Sequence, residues 1–192
     1  MEENDLAFVD RARRGDGRAF ETLAKRHETA LFRHVLRVAG TQSDAEDVVQ
    51  EAFISAWRSI ASFQGGSFRA WLFRIATNRA IDLVRARRRR GELPLEPGED
   101  EEVGWVEPAA PGADLPEIAS QHEGASLVEE ALSALPAEQR AALLLRDVEG
   151  FDYAEIARIT AVEIGTVKSR IHRARLGVRN ALVLRGWKGA AG

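Results

Sequence analysis

Lys168, Ser169, Arg170, His172, Arg173 and Arg175 fall together in the second half of one stretch, IARITAVEIGTVKSRIHRAR, residues 156 to 175. On a helix Lys168 and His172 share a face at i, i+4, with Ser169 and Arg173 beside them. These side chains can donate hydrogen bonds to guanine edges or phosphate in a major groove. Gly165 and Thr166 precede them, where the backbone N–H groups of a starting helix and a hydroxyl can meet a phosphate. The chemistry on offer is recognition of a polyanion. Catalysis has no comparable constellation. His27, His34, His122 and His172 make no H-x-x-x-H or other metal-ligand spacing, and no glycine-rich phosphate loop is present. His27 and His34 read as helix-surface residues. The expectation is therefore no catalytic residue, no metal and no cofactor.

The first half of the stretch positions the second. Ala157 is the small contact of a helix-turn-helix, Ile156 and Ile159 face inward, and Val162 and Val167 close the pair from the far side. Ala161 holds the turn position often filled by glycine, so the turn is expected to avoid the left-handed conformation. Upstream, Asp152 with Glu155 reads as a cap of the first helix. Ser126 with Glu129 reads as a capping box ahead of Val128, Ala131, Leu132 and Leu135, and Pro136 suits the first position of the next helix.

The N-terminal block also reads as helices. Gly15 and Asp16 give a stop and a start, and Phe20, Leu23, Leu31, Val35 and Val38 stripe a helix over 17 to 38 that Gly40 ends. Ser43 and Glu46 form an S-x-x-E box, followed by Val48, Val49, Ala52, Phe53, Ala56, Trp57 and Ile60 on one wide apolar face. The opposite face carries Asp44, Asp47, Gln50 and Glu51. SFQGGS breaks the chain at 62 to 67, and a helix over 68 to 90 buries Phe68, Trp71, Leu72 and Ile75 before ending in VRARRRR. Trp57 and Trp71 read as core residues. No strand-like alternation appears.

Net charge conceals the organisation. The formal charge is −3, yet ten acidic residues and no Lys or Arg lie between Gly91 and Ala125, so the remainder carries 27 basic against 20 acidic residues, +7. Five of the six prolines fall in that same segment, which excludes a long helix there. The expected architecture is all-α: two small helical domains, 1–90 and 126–184, joined by a flexible acidic linker over 91–125, with a flexible tail at 185–192. The absence of cysteine excludes disulfides and thiolate metal sites, and no apolar run approaches the roughly 18 residues of a membrane span. The N-terminus lacks the apolar core of a secretory signal, so a soluble cytoplasmic protein with no membrane insertion is expected.

In order and spacing, these segments resemble the extracytoplasmic-function sigma factors of bacterial RNA polymerase. DAEDVVQEAFISAWRSIASF resembles the polymerase-binding helix of region two, and FRAWLFRIATNRAIDLVRARRRR resembles its melting and downstream-element helix. LPAEQRAALLLRDVEGFDYAEIARITAVEIGTVKSRIHRAR resembles region four. The resemblance implies a non-enzymatic, stress-responsive initiation subunit that binds core polymerase, directs it to promoters and helps melt them. Asp44, Asp47, Gln50 and Glu51 would dock on the clamp helices of the largest subunit, and region four would meet the flap of the second largest. Phe63 to Ser67 would form a pocket for a base flipped from the non-template strand, with Arg74, Asn78 and Arg85 along the strand path and Arg85 with Arg87 to Arg90, Arg88 among them, on duplex phosphates. Lys168, Ser169, His172 and Arg173 would read the upstream element, supported by Thr166, Arg170 and Arg175. The linker would thread toward the RNA exit path, and a cognate anti-sigma factor is an expected partner.

Three other readings explain less. A stand-alone helix-turn-helix regulator accounts for residues 152 to 181 and leaves the N-terminal block without a role. A sigma mimic that sequesters an anti-sigma protein does not need the basic residues at both DNA faces. A nuclease would require a metal or phosphate site, and proline-broken carboxylates supply no preorganised cage.

Overall fold

A computed structural model describes residues 3–93 and 122–185. Eight α-helices and one 3₁₀ turn account for almost all of these residues, and no strand occurs among them. The helices are α1 (Glu3–Arg13), α2 (Gly17–Ala39), α3 (Gln42–Ser59), α4 (Phe68–Arg89), α5 (His122–Ser133), α6 (Ala137–Asp147), α7 (Tyr153–Thr160) and α8 (Ile164–Leu184), with the 3₁₀ turn Ile60–Ser62 after α3. The described residues form two compact units, one of residues 3–83 with 158–161 and the other of 84–93, 122–157 and 162–185. Most of the expected acidic linker and the tail after residue 185 lie outside the described residues.

In the first unit, Leu23, Leu31, Val35 and Val38 of α2 are fully shielded, as are Leu72, Phe73, Ala76 and Ala80 of α4. Asp16 caps α2 as expected, accepting from the N–H groups of Arg18 and Ala19, and Gly40 closes the helix in the left-handed region at φ 92°. The cap of α3 differs from expectation. Thr41, not Ser43, precedes the helix; its Oγ1 accepts from Asp44 N–H and donates to Asp44 Oδ2 at 2.7 Å. The Thr41–Asp44 pair is the same threonine/acid device two residues earlier, and it leaves Ser43 inside the first turn.

The two histidines of α2 are not surface residues. His27 and His34 are 4% and 1% exposed. They extend the Leu23–Leu31 stripe at helical spacing, and each finds a buried partner: His27 Nε2 lies 2.8 Å from Asp5 Oδ2, His34 Nε2 lies 2.9 Å from Thr77 Oγ1. Burial, with Arg69 and Arg37 adding repulsion, pushes the His34 imidazole down to about 3. Trp57 departs from expectation in the other direction. It is 38% exposed and packs against Phe20 at 5.2 Å between ring centroids.

In the second unit, α6 is buried nearly all round through Ala137, Ala141, Ala142, Leu143, Leu144 and Leu145, and α8 packs on it with Val167, Ile171, Ala174 and Val178. Asp152 and Glu155 make the reciprocal cap expected of α7, at 2.9 and 2.7 Å. The expected Ser126–Glu129 box is not the start of α5, which begins at His122; the last proline before it is Pro116, so nothing interrupts the helix at Ser126. Pro136 stands one place earlier than expected, capping α6 in an extended conformation. The turn between α7 and α8 is a larger correction: Ala161 adopts φ 55°, left-handed despite its side chain.

Candidate nucleic-acid interface

The helix-turn-helix stands on Ile156, Ile159, Val167 and Ile171, none more than 2% exposed. Glu163 supplies no side-chain cap to α8, so its carboxylate does not occupy the first-turn N–H groups at Ile164 to Thr166. A phosphate fits such an end. Thr166, Lys168, Ser169, Arg170, His172, Arg173 and Arg175 are all half-buried on this helix. Ser169 Oγ donates to Thr166 O at 2.9 Å within the helix.

Two residues outside the candidate set shape this face. The Tyr153 ring carries the Arg146 guanidinium at 4.8 Å and the Lys168 ammonium at 5.9 Å, so Lys168 is steered by an aromatic surface on α7. Asp147, at the end of α6, receives Arg175 through two hydrogen bonds of 3.1 and 2.6 Å. The Tyr153 position beside the Asp152 cap offered a weak signal in sequence; the Asp147 partnership, across 28 residues, offered none.

In the first unit the polar face of α3 is formed as expected. Asp47, Gln50 and Glu51 are exposed, and Asp44 is half-buried against Thr41. Glu51 accepts from Arg79 Nε, which also holds the Arg79 guanidinium above its ordinary range. The loop after the 3₁₀ turn is exposed at Gln64, Gly65, Gly66 and Ser67, with both glycines left-handed at φ 96° and 90°, a path that other residues follow only under strain. Phe63, by contrast, is 5% exposed: its ring sits 5.1 Å from Trp71 and 6.3 Å from Phe68, so its face is already used in packing. Ser67 Oγ accepts from Ala70 N–H at 3.1 Å and so caps α4.

Arg74 is exposed on α4. Asn78 Nδ2 donates to Ile159 O at 2.9 Å, inside the first unit, and Arg85 Nε donates to Glu138, inside the second. Arg88 is half-buried, and desolvation lowers its basicity. The arginines at the end of α4 are thus in different settings: Arg87 and Arg88 are half-buried, whereas Arg85, Arg89 and Arg90 are exposed. Among the described residues no group of His, Asp and Glu could hold a metal ion, and no helix is long and apolar enough to cross a membrane.

Comparison with known proteins matches two successive segments of the chain. Residues 23–90 match Sigma-70 region 2, and residues 125–176 match Sigma-70, region 4. The chain is 38% identical over 183 residues to the RNA polymerase sigma-H factor of Pseudomonas aeruginosa, covering 94% of this chain and 95% of that one. It is 39% identical over 184 residues to the ECF RNA polymerase sigma-E factor of Escherichia coli K12, covering 92% and 93%. Among solved structures it is similar to CnrH in complex with the cytosolic domain of CnrY, with a TM-score of 0.67 and 29% identity over 95% of this chain and 99% of that one. It is also similar to the sigma factor RpoE in complex with the anti-sigma factor NepR from Bartonella quintana, with a TM-score of 0.63 and 30% identity over 85% and 96%. With both regions matched in order and relatives aligned over nearly their whole length, the chain belongs to the extracytoplasmic-function sigma factors, alternative sigma factors that direct RNA polymerase to promoters.

Proposed function

We propose that residues 1–90 dock on core polymerase and open the downstream promoter element, that 126–184 read the upstream element, and that the acidic segment 91–125 tethers the two. The observation that carries this division is a pair of chemically opposite surfaces: the exposed Asp47, Gln50 and Glu51 on α3, and the half-buried Lys168, His172 and Arg173 on α8. The acidic face suits the clamp helices of the largest polymerase subunit, and the C-terminal unit meets the flap of the second largest. Lys168, Ser169, His172 and Arg173 read the minus-35 element. Gln64 to Ser67 take a flipped base of the minus-10 element, with Phe63 supporting the loop from beneath and Arg74 on the strand path. Asn78 and Arg85 reach DNA only by exchanging their present partners, Ile159 O and Glu138. Two tethered weak readers gain effective concentration on one promoter.

The protein acts in the cytoplasm, as a binding subunit and not an enzyme. A cognate anti-sigma factor is its regulator; the two similar solved structures are complexes with CnrY and with the anti-sigma factor NepR, which supports this partner class. Abortive transcription by purified core polymerase on a randomised promoter library tests the residue assignments. Promoter-dependent product is expected with the intact chain and is expected to disappear when Asp47 and Gln50 are changed to alanine. Full product from that double variant would remove α3's polar face from the polymerase contact.

A further inference from the structure

The exposed loop at 64–67 is held at both ends by the aromatic cluster beneath it. Phe63 enters and Phe68 leaves it, and both are buried, at 5% and 3% exposure. Phe68 is the junction: its ring lies 5.7 Å from Trp71, 6.5 Å from Phe20 and 5.7 Å from the His27 imidazole. His27 is in turn held from a third helix, its Nε2 2.8 Å from Asp5 Oδ2 of α1. Asp5 Oδ1 accepts from Arg26 Nη1, also at 2.8 Å, and the Arg26 guanidinium lies 4.6 Å from the centre of the Phe8 ring. α1 packs as well against the 3₁₀ turn 60–62, immediately before the loop. One helix at the start of the chain therefore braces the entry of the loop directly and its exit through His27 and Phe68.

The glycine pair makes such a brace necessary. Gly65 and Gly66 give the loop no stiffness of its own, so its geometry is set by what fixes its ends. A pocket for a flipped base offsets the cost of unstacking only if its contacts are already in place. An Asp and a His buried at 7% and 4% exposure are costly groups to retain in a helical core, and their pairing spends that cost where it fixes the loop.

We propose that Asp5 and His27 are positioning residues for promoter melting: through Phe68 they hold the 64–67 loop in the shape that accepts the non-template strand. This rests on the assignment of that loop to the strand. The test uses the full chain with core polymerase and four readouts: core affinity, binding to duplex promoter, permanganate reactivity of melted thymines, and abortive product from duplex and from pre-opened templates. For Asp5→Asn and for His27→Gln, melting and duplex-templated product are expected to fall roughly tenfold, as for other small misplacements of a preorganised site. Core affinity is expected to hold within about twofold, and the pre-opened template to restore product. The double variant is expected to be little worse than Asp5→Asn alone, because the two changes share the Asp5–His27 contact. Asp5→Glu, which keeps the carboxylate, is expected to recover part of the loss.

Parallel loss of core affinity and of product on the pre-opened template would reduce the pair to a purely structural role and overturn the proposal. Ser67→Asp separates it from the reading beneath it, since aspartate keeps the helix cap while repelling the strand. If Ser67→Asp abolishes melting and the Asp5 and His27 variants melt normally, the positioning role alone is overturned. If Ser67→Asp melts normally, the loop assignment fails and the proposal fails with it.

Discussion

Arg175 of α8 is held by Asp147 of α6 through two hydrogen bonds, Nε to Oδ2 at 3.1 Å and Nη2 to Oδ1 at 2.6 Å. The carboxylate is 7% exposed and the guanidinium 40%. A planar fork seated on a buried carboxylate is an orienting contact, because both partners lose freedom along the helix that must enter the groove. Arg173, two residues away on the same helix, belongs to the face that carries Lys168 and His172.

The two arginines are therefore expected to separate in a salt titration of promoter-fragment binding. Arg173→Ala should reduce the log–log salt slope by about 0.9, the value for one lost phosphate contact. Arg175→Ala should leave the slope unchanged and instead destabilise the C-terminal unit by about 2 kcal/mol, the cost of stranding Asp147. Arg175→Lys should recover less than half of that stability, since lysine cannot make the paired contact. An equal fall in slope for both alanine variants would show Arg175 on phosphate.

The helical architecture was legible because it rests on local signals: the Leu23 to Val38 stripe, the Gly15–Asp16 stop and start, and the reciprocal Asp152–Glu155 cap all act within one or two turns. What escaped the sequence depends on partners far along the chain. His27 and His34 are polar by type, and their burial follows from Asp5, 22 residues away, and Thr77, 43 residues away. Spacing alone placed them in the apolar stripe, but hydropathy argued against them. The candidate site divided in the same way. Lys168, His172 and Arg173 were readable as one face from i, i+4 spacing, whereas the tethering of Arg175 and the burial of Phe63 are set by tertiary packing. The α3 cap was displaced by two residues because Thr41 and Ser43 both offer a hydroxyl, and only Thr41 stands in extended backbone, φ −129° and ψ 150°.

His34 gives the fold an acid limit. Its imidazole is held neutral, pushed down to about 3 from an ordinary 6.5, first by burial and then by Arg69 and Arg37. In the unfolded chain it protonates near 6.5, so below that pH the unfolded state binds the extra proton and gains on the folded one. The contribution is thus complete above about pH 6.5 and is lost progressively as pH falls toward 3. Between pH 7 and pH 5 this one site should cost about 2 kcal/mol, at 1.36 kcal/mol per pH unit below 6.5. Urea unfolding of the full chain, followed by the tryptophan fluorescence of the N-terminal unit, should show that loss. His34→Gln keeps a hydrogen-bonding group for Thr77 and removes the titration. Its stability should be lower at pH 7 but flatter toward pH 5 by about the same 2 kcal/mol. An unchanged acid slope in the variant would place the acid sensitivity in other groups.

Ala161 turns the chain from α7 into α8 at φ 55°, a conformation that costs a residue with a Cβ about 1–2 kcal/mol. Glycine would remove that strain while giving back about 0.4–1 kcal/mol of unfolded-chain entropy. Ala161→Gly should accordingly stabilise the α7–α8 turn by about 0.5 kcal/mol, near the lower end of the difference between the two terms. Hydrogen exchange is the suitable readout, because it reports α8 without requiring the two units to unfold together. The amides of Val167, Ile171 and Ala174, all buried on α8, should gain protection by a factor of about two. Ala161→Val should move the other way and by more, since a β-branched side chain is a true outlier in the left-handed region. Specific promoter-fragment affinity should change little in Ala161→Gly, because the turn keeps its geometry and Lys168, His172 and Arg173 keep their places on the helix. A glycine variant with weaker protection along α8 would mean that the alanine methyl contributes packing that outweighs its strain.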